Sequence, residues 1–172
     1  MWKKILVIIF LFYFLVLLQN SLLSHFTLFG TTPNLIFIFF FLLIFFSPMG
    51  KNFIEVYQII LWGALAGFFL DVFSYSYIGP SVVLLIAIGF LAKKTQSLLR
   101  DMDDNFPFAY FLPLFVVFFI VYQILLLIYL RFFDPSHYLM IFDLRIIAEI
   151  IYNLFFAAIG FWIIKRILPY VK

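Results

Sequence analysis

The 172-residue chain contains no cysteine, which excludes disulfides, thiolate nucleophiles and sulfur-ligated metals. Charge is scarce as well. Asp, Glu, Lys and Arg make up 11% of residues against 67% apolar, more hydrophobic surface than a soluble domain of this size buries. Period-two alternation over ten-residue segments is missing, which argues against an outer-membrane barrel. There are two histidines, His25 and His137. His137 stands three residues from Asp134, a pairing that admits metal or acid–base chemistry, but loop histidines are ordinarily solvated. No Gly-rich phosphate loop precedes a helix with Lys and Ser or Thr, and the basic residues sit as juxtamembrane anchors rather than as a nucleic-acid surface. The sequence therefore gives no catalytic, cofactor-binding or metal-binding residues, and no nucleic-acid partner.

What is present is a series of apolar runs, unbroken around the helix and separated by short polar punctuation. The expected fold is all-α and integral to the membrane, one transmembrane domain with helices at about 5–23, 34–46, 54–73, 79–94, 108–130 and 143–168. The opening Lys3 and Lys4 with the following apolar run resemble a signal peptide, but residues 19–25 offer no small-x-small cleavage site, so the run is read as the first span. Pro33 suits the first turn of helix two. That helix is short for a span, which implies little tilt or a thinned bilayer. Lys93 and Lys94 mark the end of helix four, residues 95–107 form the most soluble stretch, and Pro113 is placed to kink helix five. The 28 phenylalanines have no functional explanation at this level.

The basic residues fix an orientation. With the N-terminus inside, Lys3, Lys4, Lys51, Lys93, Lys94, Arg100, Lys165, Arg166 and Lys172 face the cytoplasm, and only Arg131 and Arg145 lie outside. That distribution satisfies the positive-inside rule and predicts both termini in the cytoplasm.

The most informative stretch runs from Gly63 to Gly79. Gly63, Gly67 and Asp71 recur at intervals of four and share one helix face. Small residues let two membrane helices approach closely, and an acid at that depth requires a partner. Gly63, Gly67 and Gly79 are the expected packing glycines. Leucine at Gly63 or Gly67 is expected to abolish packing without preventing insertion. The remaining polar residues gather towards the outer leaflet: Gln19, Asp71, Ser74, Gln123, Arg145, Glu149 and Asn153. Arg145, Glu149 and Asn153 again share a face, and the expected pairing is Asp71 or Glu149 with Arg145.

Taken together, these features resemble the MreD family of bacterial rod-shape determination. The residues that carry the resemblance are Gln19 with Leu22 and Leu23, then Gly30 with Pro33, Asn34 and Leu35. The central pattern is Gly63, Gly67, Asp71 and Ser74, followed by Gly79 and Leu84, and helix six supplies Tyr152 and Asn153 with Lys165 and Arg166 at its end. Asn34 stands where the family commonly has an acid. The resemblance implies a non-catalytic scaffold or regulator of peptidoglycan synthesis in the bacterial inner membrane. Its implied partners are MreC, then RodA, a class B penicillin-binding protein and MreB. It also implies a six-helix bundle similar to the substrate-binding S-components of vitamin transporters. Small-solute binding by the outer polar residues is therefore the alternative. Against it, residues 5–23 contain no Gly or Ala, whereas S-components dock through small residues on helix one.

Overall fold

The computed structural model describes residues 2–27, 29–47, 53–73, 78–100, 108–133 and 144–167. Those residues are almost entirely helical: α1 Trp2–Leu17, α2 Leu35–Phe46, α3 Phe53–Phe73, α4 Pro80–Arg100, α5 Phe108–Phe133 and α6 Leu144–Ile167. A π-helical turn at Leu18–Leu22 and a 3₁₀ turn at Leu23–His25 prolong α1. Five of the helical segments are long and apolar enough to cross a membrane, and α2 is a shorter apolar helix. Ser74 and the loop residues Asp134 and His137 lie outside the described residues. We call the end of the bundle at which α2, α4 and α6 begin the upper end.

The architecture is a ring of helices around α2. This helix touches all five others, and its neighbours meet in the order α1, α3, α4, α5, α6. Nine of the twelve α2 residues are buried, so its uniformly apolar sequence reflects contact on every side rather than exposure to lipid. The other helices bury one stripe each and leave residues such as Phe10, Val117, Ile128 and Trp162 on the outside. α1 is the least buried of the long segments.

The packing accounts for much of the phenylalanine excess. Phe37, Phe41 and Phe45 repeat every four residues on α2, and Phe111, Phe115 and Phe119 do so on α5. Within each row neighbouring rings stack. Between rows they meet edge-on or tilted, with centroids 4.9 to 5.8 Å apart, the arrangement that ring quadrupoles favour. Phe161 of α6 closes one end of this ladder against Phe45 and Phe111. Phe12 of α1 joins α2 to α3 through Phe39 and Phe69.

Two helix ends differ from the expectation. α4 continues to Arg100 instead of stopping near Lys94, because Lys93 and Gln96, three residues apart, turn inward against the lower end of α2 and are buried. α5 passes through Pro113 as one helix and reaches Phe133.

Candidate functional site

A 12-residue helix is about 18 Å long at 1.5 Å per residue, well short of the roughly 30 Å hydrocarbon core of a bilayer. Both ends of α2 therefore fall inside the bundle, where unsatisfied terminal N–H and C=O groups are costly. The structure satisfies them with side chains from the surrounding ring. At the upper end Asn34 is the N-cap, and its Oδ1 accepts from the Phe37 N–H at 3.0 Å, which suits the preference for Asn at that position. The Leu35 N–H donates to Gln19 Oε1 at 3.1 Å. The Asn34 N–H donates to Asn153 Oδ1 at 2.7 Å. Asn153 is fully buried and anchors its amide nitrogen on the Glu149 carbonyl, at 2.7 Å. Gln19 belongs to the π-helical turn, a geometry that re-aims side chains within an otherwise regular helix.

At the lower end the donors come from α4. Gln96 Nε2 donates to the Phe45 carbonyl at 2.8 Å. Lys93 Nζ donates to the Ser47 carbonyl at 2.7 Å and to Gln96 Oε1 at 3.2 Å. A cation on the final carbonyls also complements the negative end of the helix dipole. Lys93 was expected to mark a boundary, whereas its contact with α2 is what sets its position.

The Gly63–Gly67–Asp71 face packs on α4. A methyl group at Gly67 would lie 2.6 Å from the Ser81 carbonyl carbon and nearer still to the Val82 backbone, and one at Gly63 would lie 2.9 to 3.0 Å from Ile86. One turn above Gly67, Asp71 caps α4 from the neighbouring helix. Its Oδ2 accepts from the Gly79 N–H at 2.7 Å and its Oδ1 from the Ser81 N–H at 3.1 Å. Pro80 occupies the first helical position, where its missing N–H costs nothing. Ser81 Oγ lies 3.1 Å from Tyr122 Oη on α5, and both residues are buried.

Gly79 departs from the expectation. Nothing lies within 4 Å of where its Cβ would be, and its φ of +124° belongs to the region that favours glycine. It is a turn glycine that presents its N–H to Asp71, not a packing glycine. Gly89 and Gly160 are at close approaches instead, against Ile59 and Leu42.

Glu149 is held by Gln123, whose Nε2 donates to its carboxylate. Arg145 is exposed, one turn above Glu149. The sequence placed Gln19, Asp71, Gln123, Glu149 and Asn153 in one polar layer. The structure distributes them over three joints: Asp71 with α4, Gln123 with Glu149, and Gln19 with Asn153 around the start of α2. Ser81, Tyr122 and Gln96 went unrecognised. The available signals were the Gly79–Pro80 pair, which announces a helix start just before Ser81, and the three-residue spacing of Lys93 and Gln96.

Among the described residues no group of three or more His, Cys, Asp or Glu side chains is placed to hold a metal ion, and no buried side-chain polar atom lacks a hydrogen-bond partner. The arrangement joins helices through fully satisfied polar contacts. It defines a helical bundle with membrane-length helices around a short, capped central one. No protein-family model, curated protein or solved structure matches the chain.

The contact of Asn153 with α2 is testable. Asn153→Ala removes the acceptor of a part-buried N–H and is expected to cost about 1–3 kcal/mol. Gln19→Ala is expected to cost less, because the Leu35 N–H keeps the Pro33 carbonyl at 3.2 Å. Melting curves of the two detergent-purified variants read this order.

Proposed function

We propose that the chain is a six-helix protein of the bacterial inner membrane with both termini in the cytoplasm. We propose further that it works as a non-catalytic scaffold of the cell-elongation machinery, in the manner of the MreD family that its sequence resembles. The observation that carries this reading is the use made of the resembling residues. Gln19, Asn34, Gly63, Gly67, Asp71, Gly79 and Asn153 all serve as joints between helices. The Asp71 carboxylate holds two backbone N–H groups, which is architectural work. With Gly63 and Gly67 packed inside the chain, a partner such as MreC would meet the outer faces of the ring, and α1, the least buried long segment, offers the largest such face. RodA, a class B penicillin-binding protein and MreB would follow as indirect partners. The distribution of basic residues supports the orientation.

Small-solute binding in the manner of a vitamin-transporter S-component is the second reading, and the pairing of Gln123 with Glu149 near the upper end is the feature that would serve it. The absence of Gly and Ala from residues 5–23 speaks against docking of the S-component kind. The deciding experiment is co-expression with tagged MreC-like protein in a rod-shaped bacterium, followed by purification and mass spectrometry. Stoichiometric co-purification supports the scaffold. A tightly bound vitamin-like solute, with no MreC-like protein retained, overturns it.

A further inference from the structure

The sequence of packed neighbours around α2, from α1 through α3, α4 and α5 to α6, has two ends, and α2 itself marks the place where they face each other. Nine of its residues are buried. The other three, Phe39, Leu43 and Phe46, are half-buried, and their spacing of four and three puts them in one stripe. The stripe runs between the two ends of the ring. Phe39 meets Phe12 of α1 with ring centroids 5.1 Å apart, and Phe46 meets Phe161 of α6 at 5.2 Å. At the top the two ends are tied together, because the Tyr152 hydroxyl of α6 donates to the carbonyl of Phe26, just past the 3₁₀ turn that prolongs α1. Below that tie lies a groove whose floor is α2 and whose walls are α1 and α6, and it opens sideways to lipid. Its width follows from burial. A vacancy as wide as a helix, roughly 10 Å, would leave the stripe as exposed as outer residues such as Phe10 and Phe155. Half-burial requires something narrower, the width of a hydrocarbon chain.

Both walls carry cations at the lower end. On α1, Lys3 lies nine residues below Phe12, about 13 Å. On the other side, Phe46 lies seven residues below Phe39, about 10 Å, and Lys165 four residues below Phe161, about 6 Å more. The two walls thus bring Lys3 and Lys165 to within about 3 Å of one level, and Lys3, Lys165 and Arg166 are all exposed. Arg166 ends the row Tyr152, Phe156, Ile159 and Ile163, which shares one helix face and whose top residue touches the end of α1. It therefore stands on the groove side of α6. The distance from Phe39 down to these cations matches half of the roughly 30 Å hydrocarbon core, the depth of one leaflet. We propose that the groove between α1 and α6 is a binding site for one anionic phospholipid of the lower leaflet. An acyl chain lies along Phe39, Leu43 and Phe46, and the phosphate is held by Arg166 and Lys165 with Lys3 across the mouth. The proposal rests on the membrane reading above and not on any protein partner.

Native mass spectrometry of the full detergent-purified chain, titrated with phosphatidylglycerol or with phosphatidylcholine of the same acyl length, tests the site. A basic residue beside a lipid headgroup contributes about fivefold in affinity. The parent is expected to hold one phosphatidylglycerol at least about fivefold more tightly than phosphatidylcholine, and the double variant Lys165→Gln, Arg166→Gln to lose that preference. Lys94→Gln removes an exposed cation from the lower part of α4, the middle member of the ring, and should change neither affinity. Leu43→Trp fills the groove and is expected to weaken both lipids by about tenfold, the equivalent of displacing two methylene groups. Leu43→Phe should act in the same direction and takes its place if the melting curve shows that the tryptophan variant does not fold. A loss in Lys94→Gln as large as in the double variant means that the lipid responds to overall charge, and overturns the site. Unchanged binding in the folded position-43 variant overturns the groove. A photo-crosslinker at position 43 that captures a protein helix in native membranes, and no phospholipid, overturns the lipid as occupant.

Discussion

Leucine in place of Gly67 is expected to leave the chain inserted in the membrane and to break the α3–α4 pair. Insertion survives because leucine is favourable in lipid. Packing fails because even a methyl group at Gly67 would meet the Ser81 and Val82 backbone of α4, and backbone has no rotamer to yield. The smaller change already tests the mechanism. Gly67→Ala is expected to cost about 3 kcal/mol, the upper end of ordinary overpacking, or roughly 5–10 °C in melting temperature. Gly63→Ala should cost less, since its nearest neighbour is a side-chain atom of Ile86 at 2.9 Å with that residue's backbone at 3.0 Å. Gly160→Ala should cost least, because the obstacle there is the tip of Leu42 at 2.7 Å, which can rotate away. Fluorescence-detected size-exclusion melts of the three detergent-purified variants give the order directly. A Gly67→Ala protein that melts with Gly160→Ala refutes close backbone contact as the reason for glycine.

The glycine face was legible because interval-four spacing of small residues is a property of one helix. Its partner was not, because Val82 and Ile86, whose backbone the two glycines meet, are β-branched: a deep groove on one helix accepts an ordinary backbone from the other. The sequence likewise exposed Asp71 as an acid that must be received. It suggested a cation, since side chains are what a sequence displays, whereas two of the donors that receive Asp71 are backbone N–H groups at a helix start. The Gly79–Pro80 pair announced that start but not its distance from Asp71.

The short second helix shows the same division. Its length and apolarity were readable, and a thinned bilayer was the local explanation for them. Burial on all sides with capping at both ends is a tertiary explanation, drawn from Gln19, Asn153, Lys93 and Gln96, which lie on three other helices. Lys93 was misplaced for a related reason. Next to Lys94 it reads as one of a pair of boundary charges, yet Lys94 is exposed and Lys93 buried, because adjacent residues on a helix point about 100° apart. The phenylalanine ladders repeat every four residues in both α2 and α5, but in a chain so rich in phenylalanine that period does not stand out.

Asp71 is the residue whose replacement separates architecture from chemistry. Asp71→Ala is expected to leave the Gly79 and Ser81 N–H groups without these acceptors beside the buried start of α4. Hydrogen bonds to a charged group contribute about 1.5–3 kcal/mol each, so the loss is expected to approach that of Gly67→Ala or exceed it. Asp71→Asn keeps one carbonyl oxygen and should lose about half as much, since a neutral acceptor is weaker and its amide cannot receive the second N–H. Tyr122→Phe removes only the contact with Ser81 Oγ and should cost about 1 kcal/mol. The effect should also be local before it is global. Amide hydrogen exchange is expected to rise first in Ser81, Val82 and Val83, the turn that Asp71 caps, while the lower half of α4, held on α2 by Lys93 and Gln96, keeps its protection. If Asp71→Ala melts like the parent and exchanges like it throughout α4, the carboxylate is not a cap, and its conformational role falls with that result.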